Sequence, residues 1–177
     1  MITFAKNLCM SVTFKKWAYL FMLSIIWGSS YILIKKGLVG LTPLQVGSFR
    51  ILFTTVILLA FGYKTLKGLS REQWKWIAHT GFYGTFFPTF LFSFAETEVD
   101  SSVASVLNGL TPLFTLILAF FFYKVKIVKK QVFGVFVGFL GTILLVAQEF
   151  SFSATGDSKY SLLVVCASVF YGINVNI

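Results

Sequence analysis

The sequence predicts an all-α integral membrane protein, a bundle of about six transmembrane helices. Hydrophobic residues make up 57% of the 177 residues and charged residues only 12%, whereas a soluble domain carries roughly 25% charged residues. The mean hydropathy is +0.85, and the apolar residues gather in runs close to the roughly 20 residues that a helix needs to cross a bilayer. Too few polar side chains therefore remain to cover the water-facing surface of a soluble domain.

Six apolar runs are predicted to be membrane spans. They comprise residues 17–34, 43–63, 76–95, 101–123, 131–148 and 160–177. Thr42 followed by Pro43 is typical of a helix start, and the spacing of Ser70 and Gln73 is typical of a capping box before the third span. Residues 153–158 contain Gly156 and Asp157 and are predicted to form a loop before the sixth span.

The lysine and arginine residues predict the orientation of the spans. Eleven of the 15 fall in the N-terminal segment and in the loops after the second and fourth spans: Lys6, Lys15, Lys16, Lys64, Lys67, Arg71, Lys75, Lys124, Lys126, Lys129 and Lys130. The positive-inside rule therefore places the N-terminus of a multi-pass protein in the cytoplasm. Because these lysines flank apolar runs, the net charge of +9 indicates a membrane surface, and nucleic acid is not an expected partner.

The sixth span resembles the first over a short stretch. Residues 24–30 align with residues 168–174, matching Ser24 with Ser168, Trp27 with Tyr171 and Gly28 with Gly172. The match recurs after five spans, so a second copy would enter the membrane upside down, as in many secondary transporters. We expect residues 17–148 to form a first five-helix repeat and residues 160–177 to be the truncated start of a second. The sequence is therefore expected to be a fragment or a truncated product.

Several motifs resemble those of EamA-type transporters of the drug/metabolite transporter superfamily. The sequence Trp-Gly-Ser-Ser-Tyr at residues 27–31, followed by Lys35, resembles the first-span motif, and Arg50 resembles the arginine usual in the second span. Residues 101–114 resemble the fourth-span motif, including its proline. The glycines of residues 131–148 resemble the glycine-rich fifth span.

The resemblance implies ten spans in two inverted halves, both termini in the cytoplasm, and a substrate cavity between the halves. It also implies that the protein lies in the cell (inner) membrane of a bacterium. Members of the superfamily export or import metabolites, amino acids or drugs. Many carry an acidic residue after the fourth span, where this sequence has Lys124-Val125-Lys126. Four of the implied spans are also absent. The lipid bilayer, a small-molecule substrate, and a missing second half or another protomer are the partners expected.

Arg50 is the strongest candidate for a substrate-binding residue. A charged side chain within a span is costly and usually faces a cavity or a partner, so Arg50 is expected to bind an anion or to gate the cavity. The alternative is that Arg50 extends toward the outer interface, near Glu96 or Glu98.

The other candidate residues are small or polar residues within the spans. Asn108, Ser29 and Ser30 are predicted to contact substrate, with hydrogen bonding or close packing between helices as the alternative. Gly28, Pro112, Gly134 and Gly138 are predicted to serve packing or a kink, with cavity lining as an alternative for Gly28. The two fifth-span glycines have GxxxG spacing and are expected to pack within the bundle or between protomers. His79 is the only histidine and is expected to pack at the interface, with proton coupling as the alternative.

The motif content predicts a transporter and not an enzyme. The sequence lacks the metal-ligand spacings and paired acids within spans that hydrolytic chemistry needs, and no catalytic residue, metal or cofactor is expected. The predicted function is a permease that moves a small metabolite by alternating access. The alternatives are a non-transporting membrane half-protein that requires a partner half, and a degraded pseudogene product.

Overall fold

The computed structural model describes the backbone of residues 2–124, 128–152 and 158–177, and the side chains of residues 14–124, 128–144 and 159–177. Its helices are α1 (Ile2–Gly37), α2 (Pro43–Gly62), α3 (Arg71–Gly81), α4 (Phe87–Ala95), α5 (Ser101–Asn108), α6 (Thr111–Phe121), α7 (Lys129–Phe152) and α8 (Ser158–Asn176). A π-helical segment, Phe82–Phe86, joins α3 to α4. The prediction of an all-α membrane bundle is confirmed. Residues 153–157 of the predicted loop and the cation Lys126 lie outside the described residues, and Ser158, the last residue of the predicted loop, begins α8.

Two of the predicted helix starts are capped as the sequence indicated. The Thr42 hydroxyl accepts a hydrogen bond from the backbone N–H of Gln45 at 3.3 Å, and the Gln45 side chain accepts one from the Thr42 N–H at 2.9 Å. Ser70 and Gln73 make the same reciprocal pair at 3.2 and 2.8 Å. These boxes satisfy N–H groups that the first helical turn leaves without intrahelical partners, and so they fix where α2 and α3 begin.

The third span is interrupted between α3 and α4. The Phe87 N–H donates to the carbonyl of Phe82, five residues back, which is the hydrogen-bond pattern of a π-helix. Pro88 has no N–H to donate to the Gly84 carbonyl, so a regular α-helical ladder cannot continue through this point. Gly84 also admits Asn174 of α8, because a Cβ at Gly84 would lie only 2.5 Å from the Asn174 Nδ2.

The fourth span is broken between α5 and α6. The N–H groups of Gly109 and Leu110 donate to carbonyls three residues back, at 2.9 and 3.0 Å, which is the tighter 3₁₀ pattern. Pro112 occupies the first turn of α6, where its missing N–H costs no intrahelical bond. The break leaves the Asn108 side chain at the C-terminal end of α5, near the middle of the span.

Helix α8 packs against α4 and α6 and forms the centre of the described bundle. Val164, Ala167 and Ser168 on α8 are completely buried. Gly172 allows close approach, because a Cβ there would lie 3.0 Å from the backbone nitrogen of Thr115 on α6. Phe170 stacks on Phe87 with ring centroids 4.9 Å apart. Helix α8 is therefore held closely against both α4 and α6.

Apolar side chains cover much of the exposed surface of α1, α2 and α7. Within the described residues, three segments are long and apolar enough to cross a membrane by themselves: Phe14–Gly37, Pro43–Gly62 and Ser101–Phe121. A contiguous apolar surface of this size is unfavourable in water and suits contact with lipid or with further helices.

Candidate functional site

Polar side chains from five parts of the chain interact with one another inside the bundle. We call Tyr31 of α1, Arg50 of α2, Glu96 after α4, Asn108 of α5 and Tyr171 of α8 the polar cluster. Arg50 interacts electrostatically with Glu96 and with both tyrosines, and Tyr31 interacts with the remaining four. The arrangement brings together two of the predicted substrate-binding residues, Arg50 and Asn108, through their shared neighbour Tyr31.

The guanidinium group of Arg50 supplies the positive charge of the polar cluster. Arg50 is the eighth residue of α2, so it lies roughly 10 Å along the helix from Pro43. The side chain is half-buried, and its Nη1 is buried without a hydrogen-bond partner among the described residues. A buried guanidinium nitrogen without a partner is costly, and it offers a donor to a ligand that carries an oxygen acceptor.

Glu96 is the negative member of the polar cluster and is completely buried. Its Oε2 accepts a hydrogen bond from the Ser101 hydroxyl at 2.9 Å, while its Oε1 has no partner among the described residues. The residue lies in the connection between the third and fourth spans. Burial raises the pKa of the Glu96 carboxyl to about 7, and the Ser101 hydrogen bond and the charges of Arg50 and Lys35 act in the opposite direction.

The raised pKa makes the protonation of Glu96 part of the folding equilibrium. Its ordinary value is 4.5 and its value in the fold is about 7, so the folded chain binds this proton more tightly than the unfolded chain does. The carboxyl therefore contributes fully to stability below pH 4.5 and loses that contribution as the pH rises through about 7.

Lys35 and Ser101 hold the connection between α4 and α5 against α1. The Lys35 ammonium donates to the backbone carbonyls of Glu96 at 2.9 Å and Val99 at 3.1 Å, and it lies 3.9 Å from the Asp100 carboxylate. A cation at the C-terminal end of α4 also interacts favourably with the helix dipole. The Ser101 hydroxyl lies 3.1 Å from the Tyr31 carbonyl oxygen. Lys35 was predicted only as part of a motif, and the structure shows its role in positioning Glu96.

Asn108 and Tyr31 form the uncharged side of the polar cluster. The Asn108 side chain interacts with the Tyr31 hydroxyl, and its Oδ1 accepts a hydrogen bond from the Thr111 hydroxyl at 3.1 Å. The Tyr31 ring packs edge-on against Phe92 at 5.6 Å, and Phe92 in turn lies 6.2 Å from the ring of Tyr171. The Phe92 ring thus lies beside both tyrosines of the polar cluster.

The small residues predicted in the first span take no part in the hydrogen bonds described for the polar cluster. Ser29 is exposed, and its hydroxyl donates to the carbonyl of Ile26 in its own helix at 3.1 Å. Ser30 is half-buried, next to Tyr31 in the chain. A Cβ at Gly28 would meet no described atom within 4 Å. Substrate contact by Ser29 and Ser30, and close helix packing at Gly28, stay predictions.

The fifth-span glycines line a groove between α6 and α7. The groove has a volume of about 200 Å³ and is bounded by Gly109, Pro112, Gly134 and Gly138. A Cβ at Gly134 or Gly138 would meet no described atom within 4 Å, so the described part of the chain does not use these positions for close packing. Packing against another protomer or a second half stays a prediction.

His79 lies on α3, away from the polar cluster. It is exposed, its Nδ1 lies 2.7 Å from the Lys75 carbonyl oxygen, and its ring is 6.0 Å from that of Trp76. These contacts fit the expected interfacial role. Within the described side chains, no group of three or more His, Cys, Asp or Glu residues is placed to hold a metal ion.

Sequence reasoning missed Glu96 and Tyr171 as site residues. Glu96 was assigned to an outer loop because it ends an apolar run, and Tyr171 was noted only as the counterpart of Trp27. The available signal for Glu96 was its place between Ala95 and a predicted helix start at residue 101, where a short connection can fold back onto the bundle.

The comparisons with known proteins agree on one family. The profile of the EamA-like transporter family matches residues 15–147. The chain is 30% identical over 149 residues to the uncharacterized transporter YdfC of Bacillus subtilis, covering 82% of this chain and 49% of that protein. It is 32% identical over 130 residues to the uncharacterized inner membrane transporter YedA of Escherichia coli, covering 71% of this chain and 42% of that protein.

A third relative is named for the substrate that it takes up. The chain is 28% identical over 125 residues to an S-adenosylmethionine uptake transporter of Rickettsia felis, covering 70% of this chain and 42% of that protein. The chain thus spans about half the length of the curated relatives it matches. No solved structure matches it.

Proposed function

We propose, from the premise that the chain belongs to the EamA-like transporter family, that it forms the substrate-binding half of a permease for a small carboxylated metabolite. The observation that carries this proposal is the half-buried Arg50, whose Nη1 has no hydrogen-bond partner among the described residues. A guanidinium group in that state binds a carboxylate strongly, because both groups are charged and their geometries match. The role proposed is transport and not catalysis.

The neighbours of Arg50 support a carboxylated substrate of modest size. Asn108 and Tyr31 provide polar groups beside the guanidinium, and Phe92 and Tyr171 provide apolar ring surface. Binding sites commonly combine a few polar groups with apolar walls in this way. S-adenosylmethionine, which one relative is named for, carries a carboxylate and therefore belongs among the compounds to test.

Alternating access requires a second structural unit. We infer that residues 17–148 form one five-helix repeat and that residues 160–177 belong to the next, so that a second half closes the polar cluster on its open side. The exposed apolar surfaces of α1, α2 and α7 support a further helical partner as well as lipid. Ser29, Ser30 and Gly28 would then face that partner or the cavity.

We also propose that the protein resides in the inner membrane with its N-terminus in the cytoplasm. Single cysteines introduced as Gly40→Cys, between α1 and α2, and Lys67→Cys, between α2 and α3, test this in a background lacking Cys9 and Cys166. Both positions are exposed, and a Cβ at Gly40 meets no described atom. A membrane-impermeant maleimide should label Gly40→Cys in intact cells and Lys67→Cys only after permeabilisation. The reverse pattern would invert the topology.

An uptake panel tests the proposed substrate class. The protein is expressed from its complete gene, and everted and right-side-out vesicles are assayed for flux of succinate, L-glutamate and S-adenosylmethionine, with succinamide and putrescine as compounds without a carboxylate. We expect flux of at least one acid above that of vesicles without the protein, and no flux of the two controls. Because a carboxylate is the feature that Arg50 recognises, competition among the acids should follow the same order as their flux.

Two results of the uptake panel would argue against the proposed function. Flux of putrescine alone would contradict a carboxylate site at Arg50. No flux of any compound, from a protein that is inserted and stable, would favour a non-transporting half-protein that serves another subunit.

A further inference from the structure

The polar cluster contains a second charged group besides Arg50, the buried carboxyl group of Glu96. Binding of a substrate carboxylate by Arg50 does not by itself explain why Glu96 is there. The side chain is completely buried, one oxygen accepts from Ser101 at 2.9 Å, and Oε1 has no partner among the described residues. A buried ionised carboxylate with an unsatisfied oxygen is costly. A protonated carboxyl in the same place carries no net charge and gains a donor.

Ser101 connects the protonation of Glu96 to helix α1. Its single hydroxyl proton faces two acceptors, the Tyr31 carbonyl at 3.1 Å and Glu96 Oε2 at 2.9 Å. When Glu96 is ionised, both acceptors compete for that one proton. When Glu96 is protonated on Oε2, it donates to Ser101, and Ser101 donates to Tyr31, so that Oε2, the Ser101 hydroxyl and the Tyr31 carbonyl each have a partner. The position of Tyr31 is therefore better fixed in the protonated state.

Nearby charges and burial act on the ionisation of Glu96 in opposite directions. Arg50 of α2 and Lys35 of α1 favour the ionised carboxylate, while burial opposes it. Tyr31 of α1 is a titratable neighbour of Glu96, and Tyr171 of α8 is a titratable neighbour of Arg50. Asp100 in the same connection is exposed and lies 3.9 Å from Lys35. With Glu96 ionised, Arg50 has a buried negative partner, and a second carboxylate meets repulsion. With Glu96 neutral, the charge of Arg50 is available.

We propose that Glu96 binds the proton that couples transport, and that Arg50 accepts a substrate carboxylate only when Glu96 is protonated. This inference rests on the proposed function, because it concerns the same site and the same substrate class. One proton from the aqueous phase binds the Glu96 carboxylate, and one substrate carboxylate binds the Arg50 guanidinium. Release of the proton restores the ionised Glu96, which repels the bound carboxylate. One proton and one substrate molecule thus cross the membrane together.

The first test is the pH dependence of flux. Flux of the acid identified in the uptake panel is measured in proteoliposomes of the full-length protein. The acid concentration that gives half-saturation should rise about tenfold per pH unit above the titration midpoint of Glu96, since only the protonated fraction of the protein is competent. Glu96→Gln, which mimics the protonated group in shape, should remove this dependence. It should also keep exchange of labelled for unlabelled acid but lose accumulation driven by a pH gradient. His79→Gln is the matched control and should behave as the wild type.

A second measurement does not require transport. Infrared difference spectra between acidic and alkaline solutions should show a protonated carboxyl band in the wild type that is absent in Glu96→Gln. Addition of the acid should move the titration midpoint of that band upward, because ligand and proton favour each other's binding.

The outcomes separate the two proposals. Flux in Glu96→Gln with the same pH dependence as in the wild type would overturn proton coupling by Glu96. It would leave the proposed carboxylate site at Arg50 intact. Accumulation that increases when protons move in the opposite direction to the acid would also overturn it, since it indicates exchange. A wild type that moves no acid at any pH, while its infrared band does not respond to acids, would overturn both.

Discussion

Replacement of Arg50 by alanine is expected to reduce flux of a carboxylated substrate by at least about tenfold, because a hydrogen bond to a charged group contributes roughly 1.5–3 kcal/mol. The change removes the Nη1 donor proposed to bind the substrate. It also removes the positive charge that interacts with the buried Glu96. Arg50→Lys should retain partial flux, since it keeps the charge but loses the planar fork that binds a carboxylate through two bonds.

The loss has to be separated from a folding defect. Arg71 is exposed at the start of α3, so Arg71→Ala removes a similar side chain outside the polar cluster and should leave flux unchanged. Size-exclusion profiles of Arg50→Lys and Arg71→Ala should match that of the wild type. Equal flux in the wild type and Arg50→Ala would remove Arg50 from the substrate site.

Replacement of Gly172 by alanine is expected to destabilise the packing of α8 on α6. The new Cβ would lie 3.0 Å from the backbone nitrogen of Thr115 and 3.1 Å from the carbonyl carbon and Cβ of Phe114. The backbone of α6 cannot rotate away as a side chain can, so α8 and α6 must separate. Overpacking of this kind costs about 1–3 kcal/mol, which a thermal stability measurement in detergent resolves.

Gly81 provides the matched control for that experiment. It lies at the end of α3, and an added Cβ there would meet no described atom within 4 Å. Gly81→Ala should therefore leave the melting temperature unchanged or raise it slightly, because alanine favours the helix. Equal stability of Gly172→Ala and Gly81→Ala would show that α8 does not pack on α6 as closely as described.

The helices were predictable because membrane insertion imposes strong rules on sequence. The start of α2 followed from Thr42 and Pro43, and the start of α3 from the capping-box spacing of Ser70 and Gln73. The length of each apolar run gave the spans, since an unpaired backbone group is costly in lipid. The π-helical segment of the third span contains Gly84, which lies against Asn174, 90 residues away in the sequence. A contact between such distant residues leaves no pattern in a single sequence.

The candidate site was predictable only in part. Arg50 and Asn108 stood out because charged and amide groups are rare in a membrane span. Glu96 did not stand out, because hydropathy and charge bias place an acidic residue that follows an apolar run in water. Its burial arises because Lys35 and Ser101 hold the α4–α5 connection against α1. Pairwise contacts of this kind between distant segments leave no periodic pattern in a single sequence.

The central claim, that Arg50 recognises a carboxylate in a transport site, is tested most directly by comparing a transported acid with its own amide. Flux of labelled succinate in vesicles would be measured against increasing unlabelled succinate or succinamide, with L-glutamate or S-adenosylmethionine and the corresponding amide used if the panel selects either of them. We predict that the unlabelled acid competes and that the amide, in which uncharged amide groups replace the carboxylates, does not. Equal competition by the acid and the amide would contradict the claim.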